Sequence, residues 1–343
     1  MSESEDRWAG REAAPYVIGV DLGGTNVRAA LTDREGRILQ EARRPALSEQ
    51  APEATLANIR DAIAEVMQEQ GVEPGQVVGI GIGLPGIMDD ERGLVFWSPN
   101  FPRWEDVPVA AAVGGPTGLP VTLLNDAKCA ALGELGFGAG RGARHMVMIT
   151  VGTGIGGAFV VDGQLLLGPN GSIGEVGHHT IDPDGPLCGC GNHGCWERFC
   201  GRDAIVGRTV RLLQRGRMSA LLEKVKRPGD VTPALVAHAA AAGDALAVEV
   251  MEETGFYIGI GVANLINMLN PEVFVIGGGI AQAGEPLFGP VRRTVAARAV
   301  ALQAKTARIV PAELGDNAGV MGAAARALQR AEGLSGRRSE GHG

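Results

Sequence analysis

The sequence predicts an α/β protein built from two similar domains that face each other across a cleft. Two stretches carry this prediction. The apolar run Tyr16–Asp21 is followed by a glycine turn and the run NVRAAL, and His145–Val151 is followed by GTGIGG and AFVVDG. Each stretch predicts a buried strand, a tight turn and a second strand, because glycine adopts backbone conformations that other residues resist. Such an internal duplication is what two similar domains require, and 343 residues suit about two domains.

The remaining elements follow from hydrophobic periodicity. Apolar residues at helical spacing between Pro52 and Gly71 predict an amphipathic surface helix that ends at the glycine. A long helix is predicted over Ala245–Leu269, and a final helix within LGDNAGVMGAAARAL. Further buried strands are predicted at Val77–Gly83, Val121–Asn125 and Glu272–Gly279.

These elements group into predicted domains. A small α/β domain is expected over residues 16–125, with about 314–330 returning to it. A large α/β domain is expected over 126–313 and carries a cysteine-rich loop at 174–197. The polar residues 1–15 and 331–343 are predicted to be a flexible head and tail.

Composition excludes several classes of function. The net charge of −8 argues against a partner with a phosphate backbone, so no nucleic acid is expected and a small-molecule partner is favoured. The first residues lack the basic and apolar segments of a secretory signal. The apolar stretch Thr254–Asn270 is interrupted by asparagines and is shorter than the ~20 residues of a bilayer helix, which predicts a buried helix and no membrane partner. Five cysteines, three of them clustered, favour reduced thiols in the cytoplasm over a disulfide framework.

The loop Gly174–Glu197, reading GEVGHHTIDPDGPLCGCGNHGCWE, predicts a metal site. Its cysteines, Cys188, Cys190 and Cys195, lie within eight residues, and thiolates with imidazole nitrogens suit zinc. The alternative is that small buried thiols merely pack as apolar groups, but the loop has few apolar neighbours for them. A fourth ligand is needed, and His178, His179 and His193 compete for that place on composition alone.

The glycine turns are the candidate phosphate-binding sites. The dinucleotide pattern G-x-G-x-x-G occurs twice, beginning at Gly81 and at Gly152, but neither match leads into a helix as that motif requires. The turns at Gly23–Thr25 and Gly152–Gly154 instead offer backbone N–H groups and a threonine hydroxyl to phosphate oxygens. The alternative is that both are only tight hairpins.

Two aspartates stand beside these features. Asp126 follows a buried strand and precedes a helix, where it could act only as a helix cap. Asp21 ends the first strand beside a glycine turn, as a carboxylate near a phosphate-bound magnesium ion would. Together they suggest phosphoryl transfer.

From about Tyr16 to Leu328 the sequence resembles the ROK family of bacterial sugar kinases and repressors. The resemblance rests on DLGGTNVR, GLPG, WSPNFPRW, LLNDA, VGTGIGGAFVVDGQLLLGPNGSIGEVGH and CGCGNHGCWE. It implies the actin/hexokinase-like fold, which is a duplicated ribonuclease H-like fold with an interdomain cleft.

The resemblance also implies roles for individual residues. The implied catalytic base is Asp126. The implied structural zinc ligands are His178, Cys188, Cys190 and Cys195, which resolves the choice among the histidines. The implied hexose contacts are Asn100, Asn125, Asp126, Glu175, His178 and Glu197. The implied ATP contacts, beside Asp21 with Mg²⁺, are Gly23, Gly24, Thr25, Asn26, Thr153 and Gly154 at the phosphates and Gly277, Gly278 and Gly279 at the adenosine.

The activity implied is ATP-dependent phosphorylation of glucose, with fructose, mannose or N-acetylated amino sugars as alternatives. A sugar-responsive repressor is a further alternative, although such proteins carry a helix-turn-helix segment before the kinase-like body and here about fifteen residues precede the first strand. A catalytically silent sugar-binding module is another. Dimers and tetramers are common in the family, which implies a homo-oligomer.

Three positions depart from the family pattern: Asn26, Arg103 and Trp196 stand where lysine, glycine and leucine are common.

Overall fold

The computed structural model describes residues 8, 10, 11, 13–169 and 171–340, and for 334–340 it describes the backbone alone. The described chain divides into two compact units. The first comprises the chain up to Gly142, Leu167–Ser172, and the chain from Asp316 onward. The second comprises Ala143–Leu166 and Ile173–Gly315.

The chain runs through groups of consecutive strands and groups of consecutive helices. The strands are β1 (Tyr16–Leu22), β2 (Asn26–Asp33), β3 (Ile38–Pro45), β4 (Val77–Leu84), β5 (Ile87–Asp89), β6 (Leu94–Trp97), β7 (Glu105–Val107), β8 (Val121–Asn125), β9 (Met146–Val151), β10 (Ile155–Val161), β11 (Gln164–Leu165), β12 (Val273–Gly277) and β13 (Arg308–Pro311). The helices are α1 (Pro52–Gln70), α2 (Val109–Thr117), α3 (Asp126–Phe137), α4 (Glu197–Cys200), α5 (Arg202–Gln214), α6 (Leu221–Lys224), α7 (Pro233–Ala241), α8 (Ala245–Leu269), α9 (Glu285–Arg298), α10 (Ala301–Thr306) and α11 (Ala318–Glu340).

The two main sheets share one topology. The first unit has the strand order β3-β2-β1-β4-β8, and the second has β11-β10-β9-β12-β13. In both, an antiparallel hairpin (β1 with β2, β9 with β10) is extended by strands parallel to its first member. The duplicated strand, glycine turn and strand predicted from the sequence is therefore confirmed. The first unit also contains a small sheet of β5, β6 and β7.

Helix α11 packs directly onto the first sheet and onto α3. It approaches so closely because glycines face it: a Cβ on Gly19 would lie 1.9 Å from the carbonyl oxygen of Val320, and one on Gly81 would lie 1.7 Å from that of Ala323. On its other side, a Cβ on Gly322 would lie 1.6 Å from the carbonyl oxygen of Cys129 in α3. Backbone therefore touches backbone along this helix, and no side chain fits between.

The long helix α8 organises the core of the second unit. Its residues Gly255 and Gly259 lie against α9, where a Cβ would meet Leu287 and Thr294 respectively. Its bounds match those predicted from the sequence, as do those of β8. The predicted end of α1 at Gly71 is also confirmed, because this glycine takes the left-handed conformation (φ 62°) that ends the helix.

The predicted head and tail contain packed residues. Trp8 and Ala14 are buried in a cluster with Val78 and Ala331, although 1–15 and 331–343 were predicted to be flexible. Trp8 fits because Gly79 has no side chain beneath its ring. Helix α11 continues to Glu340. Residues 1–7, 9, 12 and 341–343 lie outside the described part of the chain.

The division between the units also differs from the predicted one. The first unit continues to Gly142 and resumes at Asp316, whereas the sequence placed the boundary at 125/126 and the return at about 314. Helix α3 stays with the first unit because its backbone packs on α11 at Gly322 and Gly133.

Within the described residues no single helix has the length and apolar character of a membrane span. Helices α7 and α8 meet both criteria only as a pair, and that pair is bent by 114°.

Candidate functional site

In the first unit, polar residues gather where parallel strands end. Asp21 lies near the carboxyl end of β1 and pairs in register with Gly83 of β4, while Leu84 pairs with Asn125 at the end of β8. Asp126 follows at once as the first residue of α3. Adjacent strands lie about 4.8 Å apart, so the two aspartates stand roughly two strand spacings from each other on one edge. This edge is where open α/β sheets place their chemistry.

Both aspartates are less acidic than usual. Burial raises the pKa of the Asp21 carboxyl to about 6, and the nearby Asp126 adds to that rise while Arg28 opposes it. The Asp126 side chain is exposed to solvent, but nearby protein atoms still desolvate its carboxyl in part. This desolvation raises its pKa, while the hydrogen bond from the Ala127 amide and the charge of Lys128 lower it. A carboxylate with a raised pKa is a better proton acceptor near neutral pH.

The helix cap at this position belongs to the neighbouring asparagine. Asn125 is the N-cap of α3, and its Oδ1 accepts a hydrogen bond from the Ala127 amide at 3.1 Å. Oδ1 of Asp126 also accepts from that amide, at 2.8 Å. Since Asn125 caps the helix, Asp126 is not required for this purpose.

The β1–β2 turn, which is a predicted phosphate site, lies close to Asn100. The Gly23 amide donates to the Asn26 carbonyl at 2.9 Å, which closes the turn, and Thr25 and Asn26 are exposed. A Cβ on Gly24 would lie 3.2 Å from Cγ and Nδ2 of Asn100. A predicted sugar contact and a predicted phosphate contact therefore touch each other.

Sequence reasoning missed the residues that surround Asp21, which are Arg28 and the segment that begins α11. Arg28, paired in register with Asp21, is buried and donates to the Asp316 carbonyl at 2.8 Å, to Oδ1 of Asn317 at 2.6 Å and to Glu41. The carboxylate of Asp21 lies against the first turn of α11, where a Cβ on Gly319 would be 2.9 Å from its Cγ. An arginine within an otherwise apolar strand was the available signal, because a buried cation needs partners.

In the second unit, two glycine segments meet at the corresponding sheet edge. The β9–β10 turn closes through the Gly152 amide, which donates to the Gly154 carbonyl at 2.9 Å, and Thr153 at its tip is exposed. Thr150 of β9 pairs in register with Gly277 of β12, so the two segments are neighbours. Gly278 has φ 88°, and a Cβ there would lie 2.4 Å from the Val151 carbonyl oxygen. Its lack of a side chain lets the chain pass close over β9 into Gly279.

The cysteine-rich loop folds so that four side chains able to bind a metal ion lie close together. Ligand atoms of four residues lie within 4.8 Å of one another: His178, Cys188, Cys190 and Cys195. Nδ1 of His178 is 3.6 Å from Sγ of Cys188, and Sγ of Cys190 is 3.6 Å from Sγ of Cys195. Four ligands around zinc with Zn–S bonds of about 2.3 Å would place sulfurs roughly 3.8 Å apart. The donor set and its spacing thus fit a tetrahedral zinc ion.

The other two candidate histidines are engaged elsewhere. Nδ1 of His179 is 2.5 Å from the Val176 carbonyl oxygen, and its ring packs on Trp196 at 5.2 Å between centroids. Nδ1 of His193 is 3.2 Å from the Gly185 carbonyl oxygen. The structure therefore places only His178 of the three beside the cysteines.

The predicted hexose contacts fall into two groups, one in each unit. Asn100, Asn125 and Asp126 belong to the first unit. Glu175, His178 and Glu197 belong to the second, where the short helical turn Val176–His178 links the first two of them. Oε1 of Glu197 is 3.8 Å from Nδ1 of His178, and Oε2 is 3.4 Å from the Ile155 amide. Carboxylates and an imidazole so placed can hydrogen-bond sugar hydroxyls.

The ROK family model matches residues 17–330. The chain belongs to the ROK family. It is 39% identical over 315 residues to the glucokinase of Thermotoga maritima, covering 92% of this chain and 98% of that protein. This agrees with the family resemblance of the sequence motifs.

Solved ROK structures share the fold. A ROK family transcriptional regulator, a homologue of the E. coli MLC protein, superposes with a TM-score of 0.83 at 30% identity, covering 93% of this chain and 80% of that one. A ROK glucokinase from Streptomyces griseus, in complex with glucose and AMPPNP, superposes with a TM-score of 0.76 at 34% identity, covering 92% and 99%. The predicted actin/hexokinase-like class of two-domain α/β fold is confirmed.

Proposed function

We propose that this ROK protein is an ATP-dependent glucokinase that transfers the γ-phosphoryl group of ATP to the 6-hydroxyl of glucose. The observation that carries the proposal is Asp126. Its carboxylate stands at the carboxyl end of β8, on the sheet edge that also carries Asp21, its pKa is raised, and the adjacent Asn125 is the N-cap of the helix. An acid at this edge that is not needed as the helix cap suits a general base.

Asp126 accepts the proton of the 6-hydroxyl as that oxygen attacks the γ-phosphorus. The new O–P bond forms while the bond from the γ-phosphorus to the β-phosphate oxygen breaks, and ADP departs with the negative charge. The N–H groups of the turns at Gly23–Thr25 and Thr153–Gly154 hold the phosphates. Magnesium, when bound with the nucleotide, supplies positive charge at the phosphates, and Asp21 is the carboxylate of this chain suited to hold it.

The sugar is selected by hydrogen bonds to its hydroxyls. The side chains proposed to make these bonds are Asn100, Asn125, Glu175, His178 and Glu197. Buried acceptors penalise a ligand that leaves them unpaired, which favours a specific hexose. Nδ1 of His178 faces the cysteines, so its Nε2 remains for a hydroxyl. The zinc is structural in this proposal, because four protein ligands complete its shell and leave no position open for chemistry.

The same chemistry leaves two competing functions. Another hexose would use the same hydroxyl contacts, and Arg103 and Trp196 lie in segments that carry sugar contacts. A sugar-responsive regulator is the alternative from another class, as the similarity to the transcriptional regulator indicates. Retention of an acid at position 126, with its raised pKa, supports the kinase. A cytoplasmic location and a homo-oligomer are part of the proposal, the former because a reducing compartment keeps cysteines as thiols that can bind a metal.

The test is ADP release, measured by an enzyme-coupled assay with glucose, fructose, mannose and N-acetylated amino sugars. We expect turnover with glucose and a fall in kcat of about 10²–10⁴ fold in Asp126→Asn, the usual contribution of a general base. Glucose binding by calorimetry should change less than about twofold, because the amide preserves size and hydrogen bonding. Asp61→Asn, an exposed position in α1, serves as the matched control. Glucose binding without turnover on any hexose would overturn the kinase and favour the regulator.

A further inference from the structure

Trp196 packs against α8 in the second unit, in a contact with Gly261 and Tyr257 that we call the Gly261 seat. Its side chain is fully buried, and the indole lies flat on the backbone of α8 at Gly261, where a Cβ would be 2.1 Å from Cε2 of the ring. The indole Nε1 donates a hydrogen bond to the Tyr257 carbonyl at 2.7 Å. Tyr257 and Gly261 are four residues apart, so both contacts fall on one turn of the helix.

This seat fixes a residue that lies between two functional neighbours. Cys195 precedes Trp196 and supplies one sulfur of the metal cluster, while Glu197 follows it and carries a predicted sugar contact. The Trp196 amide also donates to the His179 carbonyl at 2.9 Å, next to the ligand His178. Any movement of this backbone would therefore displace a thiolate and a carboxylate together.

The carboxylate of Glu197 has little room for such movement. A Cβ on Gly154 would lie 2.4 Å from its Oε2, and one on Gly177 would lie 3.2 Å from the same atom. Its Oε1 is 3.3 Å from Sγ of Cys188. A shift of a few tenths of an ångström at Trp196 is enough to change these contacts, because packed interiors have few voids to absorb it.

We infer that Trp196 is a positioning residue, which sets Glu197 and Cys195 relative to α8 through the Gly261 seat and the Tyr257 carbonyl. The sugar-contacting carboxylate is then held from two sides, by the metal cluster and by the helix. The inference rests on the proposed function for its sugar readout alone. Leucine at this position would have neither the ring nor the N–H donor to make these contacts.

The first test perturbs the seat and not the tryptophan. Gly261→Ala forces the indole away from α8, and we expect the glucose dissociation constant to rise about tenfold, a change of roughly 1.4 kcal/mol, with kcat changing less than about threefold. Zinc transfer to a colorimetric chelator should also become faster. Gly255→Ala is the matched control, because this glycine is also in α8, about 9 Å along the helix from Gly261, and its added Cβ would lie 2.7 Å from the Leu287 carbonyl oxygen of α9 and not against the indole. It should lower the melting temperature and leave both readouts unchanged.

The second test asks whether the two residues act as a pair. In the double variant Trp196→Leu/Gly261→Ala, the leucine is smaller than tryptophan and leaves room for the added methyl group. The glucose dissociation constant should therefore be lower than in Gly261→Ala alone. Trp196→Phe keeps an aromatic ring against Gly261 but loses the hydrogen bond to the Tyr257 carbonyl. Its glucose dissociation constant should lie between those of the unaltered protein and Gly261→Ala.

The outcomes separate the inference from the proposed function. If Gly261→Ala lowers the melting temperature as Gly255→Ala does but leaves glucose affinity and zinc transfer unchanged, Trp196 is only a core residue and the inference is wrong. Additive effects in the double variant would also overturn it. If the unaltered protein binds no glucose, the proposed function fails, while faster zinc transfer in Gly261→Ala still supports the positioning of Cys195.

Discussion

Oε1 of Glu197 lies 3.3 Å from Sγ of Cys188, a member of the metal cluster. Its other oxygen faces the Ile155 amide at 3.4 Å, beside the β9–β10 turn. One carboxylate thus connects the predicted zinc ligands to the predicted phosphate turn within the second unit. The proposed metal site and the proposed sugar site therefore share this side chain, and the state of one should be measurable at the other.

We expect about one zinc per chain by elemental analysis and, after mild chelation, a rise in the glucose KM of about tenfold before kcat or helical circular dichroism falls. The reason is that Glu197 and His178 lose their support while the sheet and α8 remain. Cys190→Ser should reproduce the effect, whereas Cys200→Ser, a buried thiol outside the cluster, should not. A metal-free preparation with full activity and stability would refute the zinc site.

Protonation of Asp21 should give kcat/KM an acidic limb near pH 6. Burial raises the pKa of Asp21 to about 6, so this carboxylate loses its charge as the pH falls through that value, and burial also raises the pKa of Asp126. The proposed base and magnesium ligand are active only as carboxylates. The measurement is kcat/KM from pH 5 to 8, which reports ionisations of the free protein, and a flat profile across this range would contradict the assignment.

Stability should respond in the opposite sense. Because the folded-state pKa of Asp21 is raised from 3.8, its contribution to stability is fully present below about pH 4 and is lost as the pH rises through 6. Asp21→Asn should therefore raise the free energy of unfolding at pH 7.5 by up to about 3 kcal/mol, at about 1.4 kcal/mol per pKa unit, with little change at pH 4. Activity should fall in the same variant. Denaturant unfolding without nucleotide or magnesium is the measurement, and equal effects at both pH values would argue against a raised pKa.

Gly278→Ala should impair use of ATP more than use of glucose. Alanine resists φ 88°, and its Cβ would lie 2.4 Å from the Val151 carbonyl oxygen, so the segment proposed to bind adenosine must move. We expect the KM for ATP to rise at least about tenfold, as a cost of 1.4 kcal/mol would produce. Gly207→Ala in α5, where no atom lies within 4 Å of the added Cβ, is the control. An unchanged KM for ATP would remove this segment from the nucleotide site.

Gly322→Ala tests the packing of α11 on α3. The added Cβ would lie 1.6 Å from the Cys129 carbonyl oxygen, and backbone atoms cannot rotate aside. Overpacking of this kind costs about 1–3 kcal/mol of unfolding free energy. Gly333→Ala in the same helix, with open space at its Cβ, should be neutral or slightly stabilising because alanine favours helix. Equal melting temperatures for the two variants would contradict the close backbone contact.

Local features of this protein were predictable from its sequence because their causes are local. The hairpins at Gly23 and Gly152 follow from glycine beside apolar runs, and the bounds of α8 follow from a continuous helical pattern. The clustered cysteines indicated a metal because ligand spacing is encoded within eight residues. The choice of His178 came from family resemblance, and the structure places it at the cluster.

Features that depend on distant parts of the chain required the fold. Arg28 finds its partners Asp316 and Asn317 some 288 residues away, and no periodicity reveals that pairing. Trp8 packs into a core although it follows the polar segment 2–7, since Gly79 leaves space for its ring. The division after Gly142 arises because α3 packs on α11, a helix from the other end of the chain.

The sequence by itself determined the family, the duplicated α/β plan and the residue types of the proposed chemistry, because strand, turn and ligand motifs are written in neighbouring residues. Only the tertiary structure decided that Asn125 caps α3 in place of Asp126, that Glu197 faces Cys188, and that Trp196 sits on Gly261. The physical reason is that these relationships are set by backbone approach and burial between distant segments.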